Sequence, residues 1–274
     1  MISEAISIYG EQKNLQGIAS IPDEYRCRDV AVILLNAGMV RKVGPFNMNV
    51  DIARKLAYDG YFAFRFDMAG LGDSTKIKTG KTHLQDAIDN MTATMSHIEA
   101  QYKIHKFIFM GLCTGADHSH IISVQDERVV GNIWLDGYGF PTPKFWVNRI
   151  MPVLLDPVRL IKGIIRRLKP SPPAKISASS VDTYVWKLPE RDDYIRDMEQ
   201  TFQRDVKSLY LFSGGVNVYY NYKDQFKDGF ERHDFWKNIE VEHYPEFSHT
   251  YLLIDDRQVM IKRVGDWLDK HFKD

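Results

Sequence analysis

Cys113 stands between two glycines, in Gly111-Leu112-Cys113-Thr114-Gly115. Ahead of it Phe107 to Met110 are consecutive apolar residues, a run short enough for a buried strand. Behind it Ala116, Asp117, His118 and Ser119 are small or polar and can open a helix. A strand, a Gly-x-nucleophile-x-Gly pentapeptide and a helix make a turn so sharp that its flanking positions must be nearly without side chains. The central residue is then held in a strained conformation with its side chain thrust above the sheet. A thiol displayed in this way is a nucleophile for an acyl carbon, whereas a lone cysteine elsewhere is more often an inert buried hydrophobe. A base, an acid and oxyanion donors elsewhere in the chain would separate the two.

The elements that must position such residues can be read in order. Glu4 to Ile21 reads as an antiparallel hairpin, with AISIYG and LQGIASI joined by polar residues. Asp29 to Leu35 is a near-continuous apolar run, as expected of a strand covered on both faces, and it ends in the glycine-bearing loop Asn36-Ala37-Gly38-Met39. Asn49 to Tyr58 has helical spacing and stops before Gly60, and Tyr61 to Phe66 is the next strand. That strand runs into Asp67-Met68-Ala69-Gly70-Leu71-Gly72-Asp73-Ser74, a turn whose Asp67 is expected to bind backbone amides and not to be catalytic. His83 to Tyr102 is a helix by its Leu84, Ile88, Met91, Met95 and Ile98 periodicity. Val129 to Leu135 is a further strand, ending in Asp136-Gly137.

Beyond Gly139 the pattern changes. Prolines accumulate and strand-like runs become scarce, so residues 140–206 read as a helical cap inserted into a core made of 1–139 and 207–274. Val158 to Leu168 is an amphipathic piece of this insertion, and Lys162, Arg166, Arg167 and Lys169 read as its solvated face. The core resumes with strand Ser208 to Phe212, then Ser213-Gly214-Gly215 and the loop VNVYYNYKDQF. Tyr219, Tyr220, Tyr222 and Phe226 of that loop either line a pocket or pack under the cap. Asn238 to Tyr244 is the last strand, delivering Phe247-Ser248-His249, and Val259 to Phe272 closes the chain as a helix.

Bulk properties narrow the class. The 274 residues carry no net charge, with 44% hydrophobic and 26% charged residues, so no overall field favours nucleic acid or an anionic membrane. No apolar run approaches the length of a membrane span, and MISEAISIYG has no basic-then-apolar leader pattern. Only Cys27 and Cys113 are present, so no disulfide framework is expected and a reducing cytoplasm fits best. There is no internal repeat, no metal-ligand spacing and no glycine-rich dinucleotide fingerprint; no cofactor is expected.

Taken together, the order strand–NAGM, strand–DMAGLGDS, strand–GLCTG–helix, insertion, strand–SGG, strand–FSH resembles the α/β-hydrolase superfamily over nearly the whole chain. The passages LLNAGMVRKVGP, FRFDMAGLGDS and GLCTGADHS resemble bacterial hydrolases associated with exosortase and exopolysaccharide loci. The resemblance implies a mostly parallel central sheet flanked by helices. It puts Cys113 at the nucleophile position, His249 at the general-base position, and the backbone N–H groups of Met39 and Thr114 in the oxyanion hole. In most relatives an aspartate follows the strand matching Ser208–Phe212. Here the counted position falls near Asn217; the first aspartate downstream is Asp224, and Asp136 ends the preceding strand. Asp224 is preferred because a longer loop could fold back and a carboxylate supports an imidazolium better than an amide does.

The chemistry so implied is attack of the Cys113 sulfur on an ester or thioester, giving an acyl-enzyme that His249 helps to resolve. The substrate would be a small acyl compound, or an acyl group on a thioester carrier. Transfer to a non-water acceptor uses the same residues, since a thioester reacts with alcohols, amines and thiols. A third reading, a non-catalytic binding protein on the same fold, is motivated by the missing aspartate at the usual acid position. Acyl group, leaving group and oligomeric state are not legible in the sequence.

Overall fold

The computed structural model describes residues 2–23, 28–156 and 188–273. Eight strands among them form one sheet: β1 Ser3–Tyr9, β2 Leu15–Ile21, β3 Ala31–Leu34, β4 Phe62–Asp67, β5 Phe107–Leu112, β6 Val129–Leu135, β7 Lys207–Ser213 and β8 Ile239–Tyr244. Their spatial order is β1-β2-β4-β3-β5-β6-β7-β8. The β1–β2 and β2–β4 pairs are antiparallel and every other pair is parallel. The expected N-terminal hairpin is therefore present, and it caps one edge of a mostly parallel sheet.

Alternation along the central strands sorts side chains onto two faces. Val32 and Leu34, Ile108 and Met110, Ile133 and Leu135, and Leu209 and Leu211 point to one side. Helices α1 (Met48–Tyr58) and α7 (Ile254–Phe272) cover that aliphatic face with Ile52, Leu56, Met260, Val264 and Trp267. The opposite face is aromatic: Phe62, Phe64, Phe107 and Phe109 meet α2 (His83–Tyr102), and Trp134, Tyr210 and Phe212 extend the layer. Helix α2 begins with a full capping box, Thr82 and Gln85 each bonding the other's backbone N–H.

Helix α3 (Thr114–Gln125) is buried with several polar residues, and Ser119, His120 and Ser123 bond neighbouring groups. Ser119 donates to Asn132 at 2.7 Å and accepts from the Trp134 indole at 3.0 Å, while His120 Nε2 lies 2.9 Å from Asp197. Such bonds fix the helix under the Cys113 turn where apolar packing alone would let it slide.

Two helices are described within residues 140–206. Helix α4 (Pro143–Leu154) follows β6 as an added segment, and residues 157–187, with the expected helix 158–168 and its four basic residues, lie outside the described residues. Helix α5 (Arg191–Gln203), within the stretch read from sequence as cap, packs against the sheet. Its Tyr194 and Met198 pack with Trp134, Tyr210 and Phe230, and Tyr194 bonds the Tyr210 hydroxyl at 2.6 Å. Helix α7 also starts five residues before the expected Val259, and a short helix, α6 (Gln225–Phe230), stands where a loop was expected.

Replacing the fully buried Phe109 by alanine should lower unfolding free energy by about 3–5 kcal/mol in urea titrations. Ile6→Ser, on the exposed side of edge strand β1, should change it by no more than about 0.5 kcal/mol.

Candidate active site

The carboxyl ends of neighbouring strands β5, β6 and β7 carry Cys113, Asp136 and Ser213, and the turn after β8 brings His249 over them. Cys113 has φ 56° and ψ −118°, a conformation rarely tolerated outside glycine, and it caps the N-terminus of α3. Both flanking glycines are sterically required. A Cβ on Gly111 would collide with the Gly115 carbonyl carbon, and one on Gly115 would sit 2.8 Å from the Asn36 carbonyl oxygen. The thiol is free and half-buried, at the positive end of the helix dipole.

His249 is turned by the segment from Tyr244 to Leu252. Phe247 N–H donates to the Tyr244 carbonyl, Tyr251 N–H to that of Ser248, and Leu252 N–H to the Ser248 hydroxyl. Buried Arg257 on α7 binds the carbonyls of Tyr251 and Leu252 at 3.0 and 3.1 Å. The Ser213-Gly214-Gly215 turn makes room for this segment. A Cβ on Gly215 would lie 2.6 Å from the His249 backbone nitrogen, and one on Gly214 would strike the Pro245 carbonyl.

The carboxylate that meets His249 is Asp136, with Oδ2 at 2.7 Å from Nδ1. This corrects the expectation for Asp224, which is solvent-exposed and caps α6, and it equally sets aside Asn217, also exposed. Asp136 is 2% exposed and fully engaged. Its Oδ1 accepts from Ser213 N–H at 2.6 Å, and its Oδ2 also accepts from the Ser213 hydroxyl at 2.7 Å. Ser213 thus stands at the end of β7, the strand that supplies the acid in the expected arrangement, and holds an acid supplied from β6. Sequence reading missed Ser213; the available signal was an aspartate–glycine pair closing β6 together with a serine, not an aspartate, closing β7.

The bond to Asp136, then the interaction with the Cys113 side chain, outweigh partial burial and push His249 up from 6.5 to about 10. The imidazole, set between a buried carboxylate and a sulfur, is thereby favoured in its protonated form.

The loop after β3 faces the Cys113 turn. Gly38 N–H donates to Thr114 Oγ1 at 2.7 Å, tying the two turns together and leaving the next amide, Met39, on the rim. Neither Met39 N–H nor Thr114 N–H donates a bond among the described residues. The loop is anchored from below by Asp67, at the end of β4. Asp67 accepts from Asn36 Nδ2 at 3.1 Å, Lys42 N–H at 2.6 Å, Lys42 Nζ at 2.8 Å and Asp73 N–H at 3.1 Å. Asn36 Nδ2 also donates to the Val40 carbonyl, closing the loop around Met39. Burial pulls the Lys42 ammonium down, but its bonds to Asp67 and Asp73 prevail and hold it above its ordinary range. Asp67 plays the structural part expected of it.

Among the described residues no group of three or more His, Cys, Asp or Glu side chains is arranged to hold a metal ion. No helix among them is long and apolar enough to cross a membrane.

No protein-family model and no curated protein matches the chain. Solved structures do resemble it over almost its whole length. An esterase from Pyrococcus furiosus superposes with a TM-score of 0.62 at 12% identity, covering 100% of this chain and 92% of its own. A lidless α/β serine hydrolase from Xanthomonas campestris gives 0.56 at 15% identity, covering 97% and 94%. A cold-adapted esterase from an Arctic intertidal metagenomic library gives 0.54 at 15% identity, covering 98% and 93%. At such identities the likeness is one of fold: the chain has the α/β-hydrolase fold.

Asp136→Asn should return the His249 titration midpoint, followed by imidazole NMR, from about 10 toward 6.5, whereas Asp224→Asn should leave it in place. A histidine whose folded value is raised contributes stability that is complete below its unfolded value and is lost as pH climbs through the folded one. The stability advantage of wild type over His249→Gln should accordingly be greatest below about pH 6.5 and decline toward pH 10.

Proposed function

We propose that this protein is a cysteine-dependent enzyme that cleaves an ester or thioester through an acyl-enzyme on Cys113. The observation that carries this reading is the row Cys113, His249, Asp136: a strained thiol at a helix N-terminus, beside an imidazole bonded to a buried carboxylate at 2.7 Å. The fold neighbours described as esterases and as a serine hydrolase support ester chemistry; the sulfur nucleophile is this chain's own feature.

In the proposed cycle the Cys113 sulfur, as thiolate, adds to the acyl carbon while His249 holds the proton. The carbonyl oxygen becomes an oxyanion received by the amides of Met39 and Thr114. Collapse restores the carbonyl and breaks the bond to the leaving oxygen or sulfur, which takes the proton from His249 Nε2. The acylated sulfur no longer supports a charged imidazole, so His249, its proton gone to the leaving group, stands neutral and free to act as the base. It then removes a proton from water, the resulting hydroxide adds to the thioester carbonyl, and the sulfur departs with the acid released. Asp136 keeps Nδ1 protonated and Nε2 turned to the sulfur throughout.

Asp136 also weakens the case for a non-catalytic binding protein, whose motive was the lack of an acid: a carboxylate is present, one strand nearer the nucleophile. A thiol that must stay reduced suits a reducing compartment, which is the setting we propose.

Intact-protein mass spectrometry after incubation with a panel of acyl esters and acyl thioesters tests the reading. Wild type should gain one acyl mass that Cys113→Ala cannot gain, and Asp136→Asn should acylate and deacylate at least about 10²-fold more slowly. Decay of the adduct in water makes the enzyme a hydrolase; decay only with an added alcohol, amine or thiol makes it a transferase. Turnover that survives in Cys113→Ala, or no adduct and no turnover across the panel, would refute the proposal.

A further inference from the structure

The loop after β7 does not carry the acid, yet it is built to close tolerances against the strand end that does. Tyr220 and Phe226, two of its aromatics, are core residues: Tyr220 stacks on Phe212 at 3.7 Å and Phe226 lies against Tyr210 at 4.6 Å. Tyr222 bonds Thr142 at 2.6 Å and Asp228 at 2.8 Å. Tyr219 differs from all three. Its hydroxyl donates to the main-chain carbonyl of Asp136 at 3.0 Å.

That carbonyl belongs to a strained residue. Asp136 has φ 53°, in the left-handed region, and is followed by Gly137, which offers the peptide little resistance to rotation. The aim of its carboxylate at His249 depends on keeping that backbone still. Three anchors do so: Asp136 N–H donates to the Leu211 carbonyl at 2.9 Å, the side chain binds Ser213, and the carbonyl takes the Tyr219 phenol. Tyr219 is itself immobilised. Its N–H donates to the Val216 carbonyl at 2.9 Å, and its carbonyl accepts from the buried Gln225 amide at 2.7 Å. The same amide group donates to the Phe140 carbonyl at 3.0 Å, clamping this loop to the segment that follows Asp136. The ring lies against Gly139, where a Cβ would come within 2.8 Å of it.

From this we propose that Tyr219 is a positioning residue for the Asp136–His249 pair: its phenol fixes the strained Asp136 peptide and so the direction of the carboxylate. The inference rests on the acyl-enzyme reading only for its kinetic consequence. Burial first, then the charges of Asp136, Cys113 and Asp117, keep the phenol well above its ordinary value, so it stays a donor over the working range of His249. The other titratable groups that feel Asp136 are His249, His243 and Tyr251.

The test is Tyr219→Phe, which keeps the ring and removes one oxygen, made in wild type and in Asp136→Asn. With p-nitrophenyl acetate as probe, kcat should fall about threefold to tenfold while KM and the melting temperature hardly move. The His249 NMR midpoint should shift down, and neither effect should recur in the Asp136→Asn background. An unchanged His249 midpoint in a folded Tyr219→Phe protein overturns the proposal, as does an equal loss of kcat in both backgrounds. The titration needs no turnover, so it decides this point even where the probe fails to acylate Cys113.

Discussion

The bond between Asp136 and His249 organises this molecule, because it joins two strand ends that would otherwise have no reason to be held in register with a thiol. A carboxylate 2% exposed to solvent is costly unless each lone pair is used, and here backbone, hydroxyl and imidazole use them. The imidazole gains its proton affinity from that buried charge and spends it beside Cys113. A carboxylate at the end of β6 can meet the histidine turn after β8 because β5, β6, β7 and β8 are consecutive neighbours in the sheet. The end of β7 and the loop after it bond that carboxylate and its peptide through Ser213 and Tyr219.

Close approach of backbones is the second constraint, and it explains the glycines better than flexibility does. Gly111 and Gly115 let the α3 N-terminus fold back onto β5, and Gly214 and Gly215 let the histidine turn lie on the end of β7. At the loop after β3 the same closeness is achieved electrostatically. Asp67 gathers Asn36, Lys42 and Asp73 into one buried network, so the loop bearing Met39 is pinned from within. Both faces of the sheet are densely packed, one aliphatic and one aromatic, which gives these loops a rigid base.

Much of this was legible in the residues because it is local. A strand, two glycines and a helix start are encoded within fourteen positions around Cys113, and His249 follows the last strand within a turn. Single buried strands followed from continuous apolar runs, the mostly parallel sheet from the resemblance of the ordered motifs, and the part of Asp67 from a turn dense in glycine and aspartate. The carboxylate partner of His249 was not local. Choosing among Asp136, Asn217 and Asp224 requires knowing which strand end reaches the imidazole, a through-space distance that counting along a loop cannot supply. Asp224 lost because residues 225–230 coil into a helix whose buried Phe226 and Phe230 turn its cap toward solvent. The packing of helix α5 is non-local in the same way: its Tyr194 and Met198 form a helical stripe whose partner, the aromatic face of the sheet, is supplied by strands far away in sequence.

The most direct measurement is a crystal structure of the protein flash-cooled during reaction with a short β-lactone, whose ring opening leaves a hydroxyacyl group on the side chain it acylates. Continuous density from Cys113 Sγ is expected, with the acyl oxygen within hydrogen-bonding distance of the Met39 and Thr114 amides and His249 Nδ1 still on Asp136. Acylation at another side chain, an acyl oxygen turned away from both amides, or His249 swung to a different carboxylate would contradict the assignment of the site.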